Sequence, residues 1–405
     1  MEYVTLRKIY YENQKDTLIW ENEYKQRFDN PFSEHLGIFI KEIDRRHEYE
    51  AFFCYTKEVI NLQEKIMTDF LKLKELIDIL PGACIDQFLR SCLIDEIKSS
   101  NDIENVKSTR REIKEAVLQQ EKQNRKIRLW GIVNKYIKII HNENIPLKTC
   151  EDIRALYNDF ILDEIIREDK DDKPDGILFR KGTVNVGADF QKPVHKGVYP
   201  ESKIIVYLNK SLKLLQNKNI SKLIRVAVFH YLFGYIHPFY DGNGRMSRFI
   251  TSYYLSKYLN AAVALRLSLL IKKQRTQYYK MFEITTSEYN KGDLTPFIIW
   301  SLEFISLAVK DTEKILMCKY NKYVSFKEKL AKIESENDTT LNNIYNILLQ
   351  AAIFSDIGAT IKEIAVTINK SERTVGTKLR NISNDILLID DSSRPYHYKL
   401  NLNIL

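Results

Sequence analysis

His237-Pro-Phe-Tyr-Asp241-Gly-Asn-Gly-Arg245-Met-Ser-Arg248 is the stretch on which the reading of the whole chain turns. Before it, residues 223–236 are almost wholly apolar (Leu223, Ile224, Val226, Val228, Phe229, Leu232, Phe233, Ile236), the profile of a helix buried on most sides. Pro238 cannot continue that helix. After it, Met246, Phe249, Ile250, Tyr253, Tyr254 and Leu255 resume helical spacing, so Gly242-Asn243-Gly244 sits at the amino terminus of a second helix. Such an end is an anion site, because glycines let the backbone approach phosphates and the unpaired N–H groups favour negative charge.

The polar residues of the loop supply complementary chemistry. Asp241 is the kind of ligand Mg2+ prefers when phosphate oxygens complete its shell. Arg245 and Arg248, three apart, offer guanidinium donors to a leaving pyrophosphate. His237, ending the first helix, has a near-neutral pKa suited to taking a proton from an attacking hydroxyl. Taken singly, each residue is ordinary: a histidine is more often a cap, Asp-Gly-Asn-Gly a surface turn, and paired arginines solvated. The conjunction in one uninterrupted loop between two buried helices makes the case.

The rest of the sequence sets bounds. At 405 residues the chain exceeds the usual single-core size and predicts two or three domains. A hydrophobic fraction of 44% and a charged fraction of 29% are those of an ordinary soluble protein. No apolar run is long enough to span a bilayer, and the first residues carry no secretory h-region, so the expectation is a cytoplasmic protein without membrane partners. Five scattered cysteines without a C-x-x-C pair point to neither a disulfide framework nor structural zinc. The net charge of +8 does not choose among nucleotide, nucleic acid and an acidic partner protein.

Pattern predicts a mainly α chain in four parts. Residues 1–85 read as a small α/β appendage, with strand candidates at 36–41 and 49–55 and a helix over 60–80 that ends at Pro81-Gly82. Residues 86–315 read as a helical core interrupted near 171–200 by a hairpin, with strand-like pieces Ile177-Leu-Phe-Arg180 and Thr183-Val-Asn-Val-Gly187. A charged, helical linker over 316–338 leads to 339–405, where helix, turn, helix and hairpin follow in winged-helix order.

The central loop resembles the signature of the Fic family, His-Pro-Phe-x-(Asp/Glu)-Gly-Asn-Gly-Arg-x-x-Arg, and matches every specified position. The resemblance implies a protein adenylyltransferase that moves AMP from ATP, with Mg2+, onto a Ser, Thr or Tyr hydroxyl. His237 would be its general base and Asp241 its metal ligand. Gly242, Asn243, Gly244, Arg245 and Arg248 would be its phosphate contacts. Val184, Val186 and Gly187 look like the family's flap, the hairpin along which a protein substrate is presented. Tyr278, Tyr279 and Asn290 look like its adenine-contacting region. Ser100-Asn-Asp-Ile-Glu104-Asn105 is similar to the family's inhibitory motif, (Ser/Thr)-x-x-x-Glu-(Gly/Asn), which implies that Glu104 competes with the γ-phosphate for Arg248, and that removal of AMP is an associated reverse activity. The alternative is a DNA-binding transcription regulator acting through Arg373, Thr377, Lys378 and Arg380 of the carboxyl-terminal unit, which otherwise binds a protein. A homodimer is left open.

Overall fold

Helical periodicity translates into a mainly α molecule. The structure, a computed structural model, describes residues 3–120, 127–186, 195–332, 338–391 and 394–404. Helices α1 (Leu6–Glu12) and α2 (Thr17–Phe28) start on side-chain caps, Thr5 accepting from the Lys8 N–H and Asp16 from the Leu18 N–H. The antiparallel pair β1 (Ser33–Ile40) and β2 (Tyr49–Cys54) follows, in register from Ser33↔Cys54 to Ile40↔Tyr49. That register shifts between His35 and Phe39, where Gly37 at φ +61 takes a conformation costly to other residues. The appendage is stitched to the remainder through Phe52, whose N–H donates to the Gly292 carbonyl at 3.0 Å while its own carbonyl accepts from Leu294 at 2.8 Å.

Capped by Thr56, α3 (Lys57–Ile79) runs to the Pro81 break, and α4 (Gly82–Ile103) begins directly after it. Next come α5 (Arg110–Leu118), α6 (Trp130–Ile140), α7 (Cys150–Phe160) and α8 (Leu162–Glu168). A short hairpin pairs β3 (Asn185–Val186) with β4 (His195–Lys196). Then follow α9 (Glu201–Gln216), α10 (Lys222–Ile236), α11 (Asn243–Tyr258), α12 (Ala261–Ala264), α13 (Leu267–Lys273), α14 (Arg275–Thr286) and the long α15 (Thr295–Leu330). The apolar run seen in the sequence is the axis of this assembly: every residue of α10 from Leu223 to Phe233 is buried, enclosed by α9, α11 and α15. Each fully buried Leu, Val or Phe there contributes roughly 1.5–3 kcal/mol. The helix that must present His237 is therefore firmly seated in the core.

One expectation meets a different outcome. Ile177-Leu-Phe-Arg180 is not a strand, because the N–H groups of Ile177, Leu178 and Phe179 converge on the Glu201 carboxylate at 3.1, 2.8 and 2.8 Å and bend the chain around it. Residues 316–330 of the expected helical linker are the end of α15, which runs unbroken from Thr295 to Leu330.

At the carboxyl terminus, α16 (Thr339–Phe354), α17 (Ile361–Thr367), α18 (Glu372–Arg380), β5 (Leu387–Asp390) and β6 (His397–Leu400) follow the order read from the sequence. A Thr360–Glu363 capping box starts α17, and Asn369 at φ 53 turns the chain toward α18. This unit packs against α4 through α16, with ion pairs from Arg90 to Glu363 and from Arg110 to Asp356. Among the described residues no helix is long and apolar enough to cross a membrane.

Candidate active site

His237 closes α10 in the left-handed region, at φ 52 and ψ 63. For a residue with a side chain that conformation costs of order 1–3 kcal/mol and persists only where surrounding contacts enforce it. Its Nδ1 lies 3.2 Å from the Gly234 carbonyl. A carbonyl can only accept, so Nδ1 carries the proton and the Nε2 lone pair is free to act as a base. Burial, reinforced by the nearby Arg180 charge, pushes the His237 pKa down to about 4, so the imidazole is neutral at physiological pH.

The loop after His237 is tied back on itself. Asn243 accepts from the Phe239 N–H at 3.0 Å and donates to the Phe239 carbonyl at 2.8 Å. Its amide thus shapes the loop from within. Phe239 stacks on Tyr157, ring centroids 3.7 Å apart, and Tyr157 donates its hydroxyl proton to the Asp241 carbonyl. Gly242 reverses the chain at φ +82, and α11 begins at Asn243 with its first N–H groups at the open end. Arg245 is buried and donates to Asp241 Oδ2 at 2.7 Å, while its Nε finds no partner among the described residues.

Arg248 is fully buried and bracketed by α4. Its Nε donates to Ser100 Oγ at 3.0 Å, its Nη2 to the Ser100 carbonyl at 2.9 Å, and Nη1 pairs with Glu104 Oε1 at 2.7 Å. Ser100 and Glu104 lie one helical turn apart and so share the face turned toward α11. The helix stops there for a local reason. Asn105 adopts φ 58, its N–H donates to the Asp102 carbonyl, and the Val106 N–H donates to the Asn101 carbonyl, the two bonds of a Schellman cap. Burial opposes ionisation of Glu104, but the Arg248 guanidinium outweighs it and holds the carboxyl below its ordinary range. Gly244 makes the approach possible: a Cβ there would fall 2.0 Å from Glu104 Oε1.

Tyr278 and Tyr279 of α14 flank the same pair, their rings 5.2 Å apart. The Tyr278 hydroxyl lies 2.9 Å from His230 Nε2 within the core, and Tyr279 lies under the Arg275 guanidinium. Asn290 is placed differently. Fully buried, it donates to the carbonyls of Asp293 at 2.7 Å and Thr285 at 3.4 Å, closing the turn between α14 and α15. In the hairpin, Val184 accepts from the Gly197 N–H at 3.0 Å and Val186 pairs with His195. Gly187 lies outside the described residues.

Comparison with known proteins agrees with this geometry. The Fic/DOC family model matches residues 149–255, which span α7 through most of α11. These residues form a Fic/DOC family domain. The protein adenylyltransferase Fic of Drosophila grimshawi is 34% identical over 83 residues, 20% of this chain and 15% of that protein. Its counterpart from Drosophila erecta is 31% identical over 130 residues, 31% of this chain and 23% of that protein. The matched stretches thus span less than a quarter of either relative. A Fic family protein from Desulfovibrio desulfuricans G20 superposes with a TM-score of 0.50 at 19% identity, covering 86% of this chain and 97% of that one, a likeness of fold.

Three residues of this Fic site escaped the sequence reading. Arg180 donates to the carbonyls around His237. Tyr240 accepts from the Gly182 N–H and donates to Asp175, both at the base of the hairpin. Glu96, two turns before Glu104 on α4, is buried and receives the Ser268 N–H at 2.7 Å and the Ser268 hydroxyl at 2.6 Å, which anchors α4 to α13. Burial pushes the Glu96 pKa up to about 7 against the pull of those donors. Nothing in sequence spacing marks any of the three, since each is a lone polar residue whose partners are distant in the chain.

Proposed function

We propose that this chain transfers AMP from ATP to a Ser, Thr or Tyr hydroxyl of a protein, itself or another, and that Glu104 holds the reaction off. The observation that carries this reading is the dual position of Arg248: a fully buried guanidinium at the start of α11, beside the glycine-rich turn, whose charged partner is a carboxylate from α4 at 2.7 Å. A γ-phosphate and Glu104 would compete for the same donors.

In the reaction, the hydroxyl oxygen bonds to the α-phosphorus as the bond to pyrophosphate breaks, and His237 Nε2 takes the hydroxyl proton. The N–H groups opening α11, with Arg245 and Arg248, face the phosphates and offset their charge. Among the described residues no group of three or more His, Cys, Asp or Glu side chains gathers to hold a metal unaided. Mg2+ takes one or two carboxylates and completes its shell with phosphate and water oxygens. Asp241 fits as the protein ligand: its side chain is 39% exposed, and Arg245 engages only Oδ2. When bound, Mg2+ would neutralise phosphate charge and favour departure of pyrophosphate.

Incubating purified wild type, Glu104→Gly and His237→Ala with ATP and Mg2+, followed by intact-mass spectrometry, tests the proposal. The Glu104 variant should gain the mass of one or more AMP groups, and the His237 variant should gain none. Equal modification of wild type and Glu104→Gly would remove the brake from the account.

A second reading concerns the carboxyl-terminal unit, where Arg373, Thr377 and Arg380 of α18 are exposed and Lys378 pairs with Asp338. These residues suit contact with a nucleic-acid backbone, and duplex affinity that falls steeply with salt would support it. Salt-independent or absent binding would leave a protein-contacting role.

A further inference from the structure

Arg180 is a fully buried arginine whose hydrogen bonds, among the described residues, all go to main-chain carbonyls. Nε donates to His237 at 2.8 Å, Nη1 to Gly182 at 2.5 Å, and Nη2 to Val198 at 2.9 Å and to Ile236 at 3.4 Å. Its own N–H donates to the Pro238 carbonyl at 3.2 Å. A buried charge without a carboxylate is expensive to maintain, and burial lowers the Arg180 pKa to about 10. What the guanidinium gathers is specific. Gly182 and Val198 are the two stems of the hairpin, and Ile236 and His237 are the end of α10 held in the left-handed turn. The neighbouring chain leaves room for this and nothing more, since a Cβ on Gly197 would meet Arg180 Nη2 at 2.5 Å and Val184 Cγ2 at 2.7 Å. Val198 also donates to the Ile236 carbonyl at 3.1 Å, so hairpin and loop are joined directly as well as through Arg180.

We propose that Arg180 is a positioning residue that locks the stems of the 182–198 hairpin to the backbone of His237, so that a hydroxyl presented along the hairpin arrives at a fixed distance from Nε2. The role assigned to that hydroxyl rests on the proposed AMP transfer. The tie itself does not. A planar fork reaching four carbonyls does this in a way that a single ammonium cannot. Arg180 contacts neither ATP nor the attacking group in this scheme, so its loss should slow the chemical step and spare nucleotide binding.

The test uses the full chain with Glu104→Gly as parent, adding Arg180→Met or Arg180→Lys. Three measurements are made: ATP affinity by calorimetry, kcat and KM for ATP in self-labelling from α-phosphate-labelled ATP, and hydrogen exchange by mass spectrometry. Arg180→Met should lower kcat by roughly ten- to a hundredfold while ATP affinity and KM stay within about twofold. Exchange should rise in peptides covering 195–198 and 236–240 and stay at the parental level in the preceding turns of α10 and in α15. Arg180→Lys should recover part of kcat. A parental kcat in folded Arg180→Met, a parallel loss of ATP affinity, or exchange rising throughout the core would overturn the proposal. Should the Met variant not fold, the Lys variant decides: lowered kcat with local exchange upholds the tie, and parental kcat overturns it. Should the parent itself take no AMP, the proposed reaction fails, and the exchange measurement alone decides whether Arg180 ties hairpin to loop.

Discussion

Two fully buried arginines sit on opposite sides of the site, and they are held by different kinds of partner. Arg248 faces α4, where a serine hydroxyl, a main-chain carbonyl and the Glu104 carboxylate surround it. Arg180 faces the hairpin and, among the described residues, hydrogen-bonds only to main-chain carbonyls. A carboxylate can be exchanged for another anion of similar reach, and Glu104, 25% exposed and at the last turn of its helix, can withdraw by a local movement. Carbonyls belonging to a packed backbone cannot be exchanged. In the proposed account the α4 side of the site changes partner, while the hairpin side stays put.

Both sides serve His237, so its removal is the largest effect: His237→Ala in the Glu104→Gly background should cut AMP transfer by roughly 10^2- to 10^4-fold, measured as initial labelling rate. On the exchangeable side, Glu104→Gly alone should raise self-labelling by about ten- to a hundredfold, the equivalent of a charge-assisted bond worth ~1.5–3 kcal/mol. No increase would erase the distinction between the two sides. The pH profile of that variant sharpens it further. Burial and Arg180 hold His237 near 4, so the imidazole stays neutral through the mildly acid range, and transfer should fall only as pH drops toward about 4. A rate already halved near the ordinary histidine value would mean that His237 is solvated. Ser100→Ala removes one acceptor from Arg248 and keeps the carbonyl, so it should loosen the brake by about 1 kcal/mol, a severalfold rise in labelling. Tyr240→Phe, on the fixed side, leaves the Gly182 N–H without its acceptor and should cost ~1 kcal/mol or less, read as a small drop in melting temperature.

How much of this was readable beforehand divides along the same line. The apolar run of α10, the proline stop and the glycine turn into α11 were legible because local spacing dictates them. The Ser100–Glu104 motif was legible as a short pattern, and the Glu104 carboxylate lies 2.7 Å from Arg248 in the structure. The carboxyl-terminal helices and hairpin were equally plain from caps and turn residues. Arg180, Tyr240 and Glu96 were not, since an isolated arginine, tyrosine or glutamate in a sequence usually belongs to the surface, and their partners lie far along the chain. The bend at 177–180 misled for a related reason: its apolar residues suggest a strand, yet Glu201 supplies the hydrogen bonds that a neighbouring strand would have given. Asn290 read as a nucleotide contact, and in the structure its amide nitrogen donates to the carbonyls that close a turn.

Self-labelling of Glu104→Gly with ATP carrying its label on either the α- or the γ-phosphate tests the central claim most directly, with His237→Ala in the same background as control. Protein-bound label from the α-phosphate, none from the γ-phosphate, and none from either in the His237 control is the predicted result. Label from the γ-phosphate, or α-label that survives loss of His237, would contradict AMP transfer by this site.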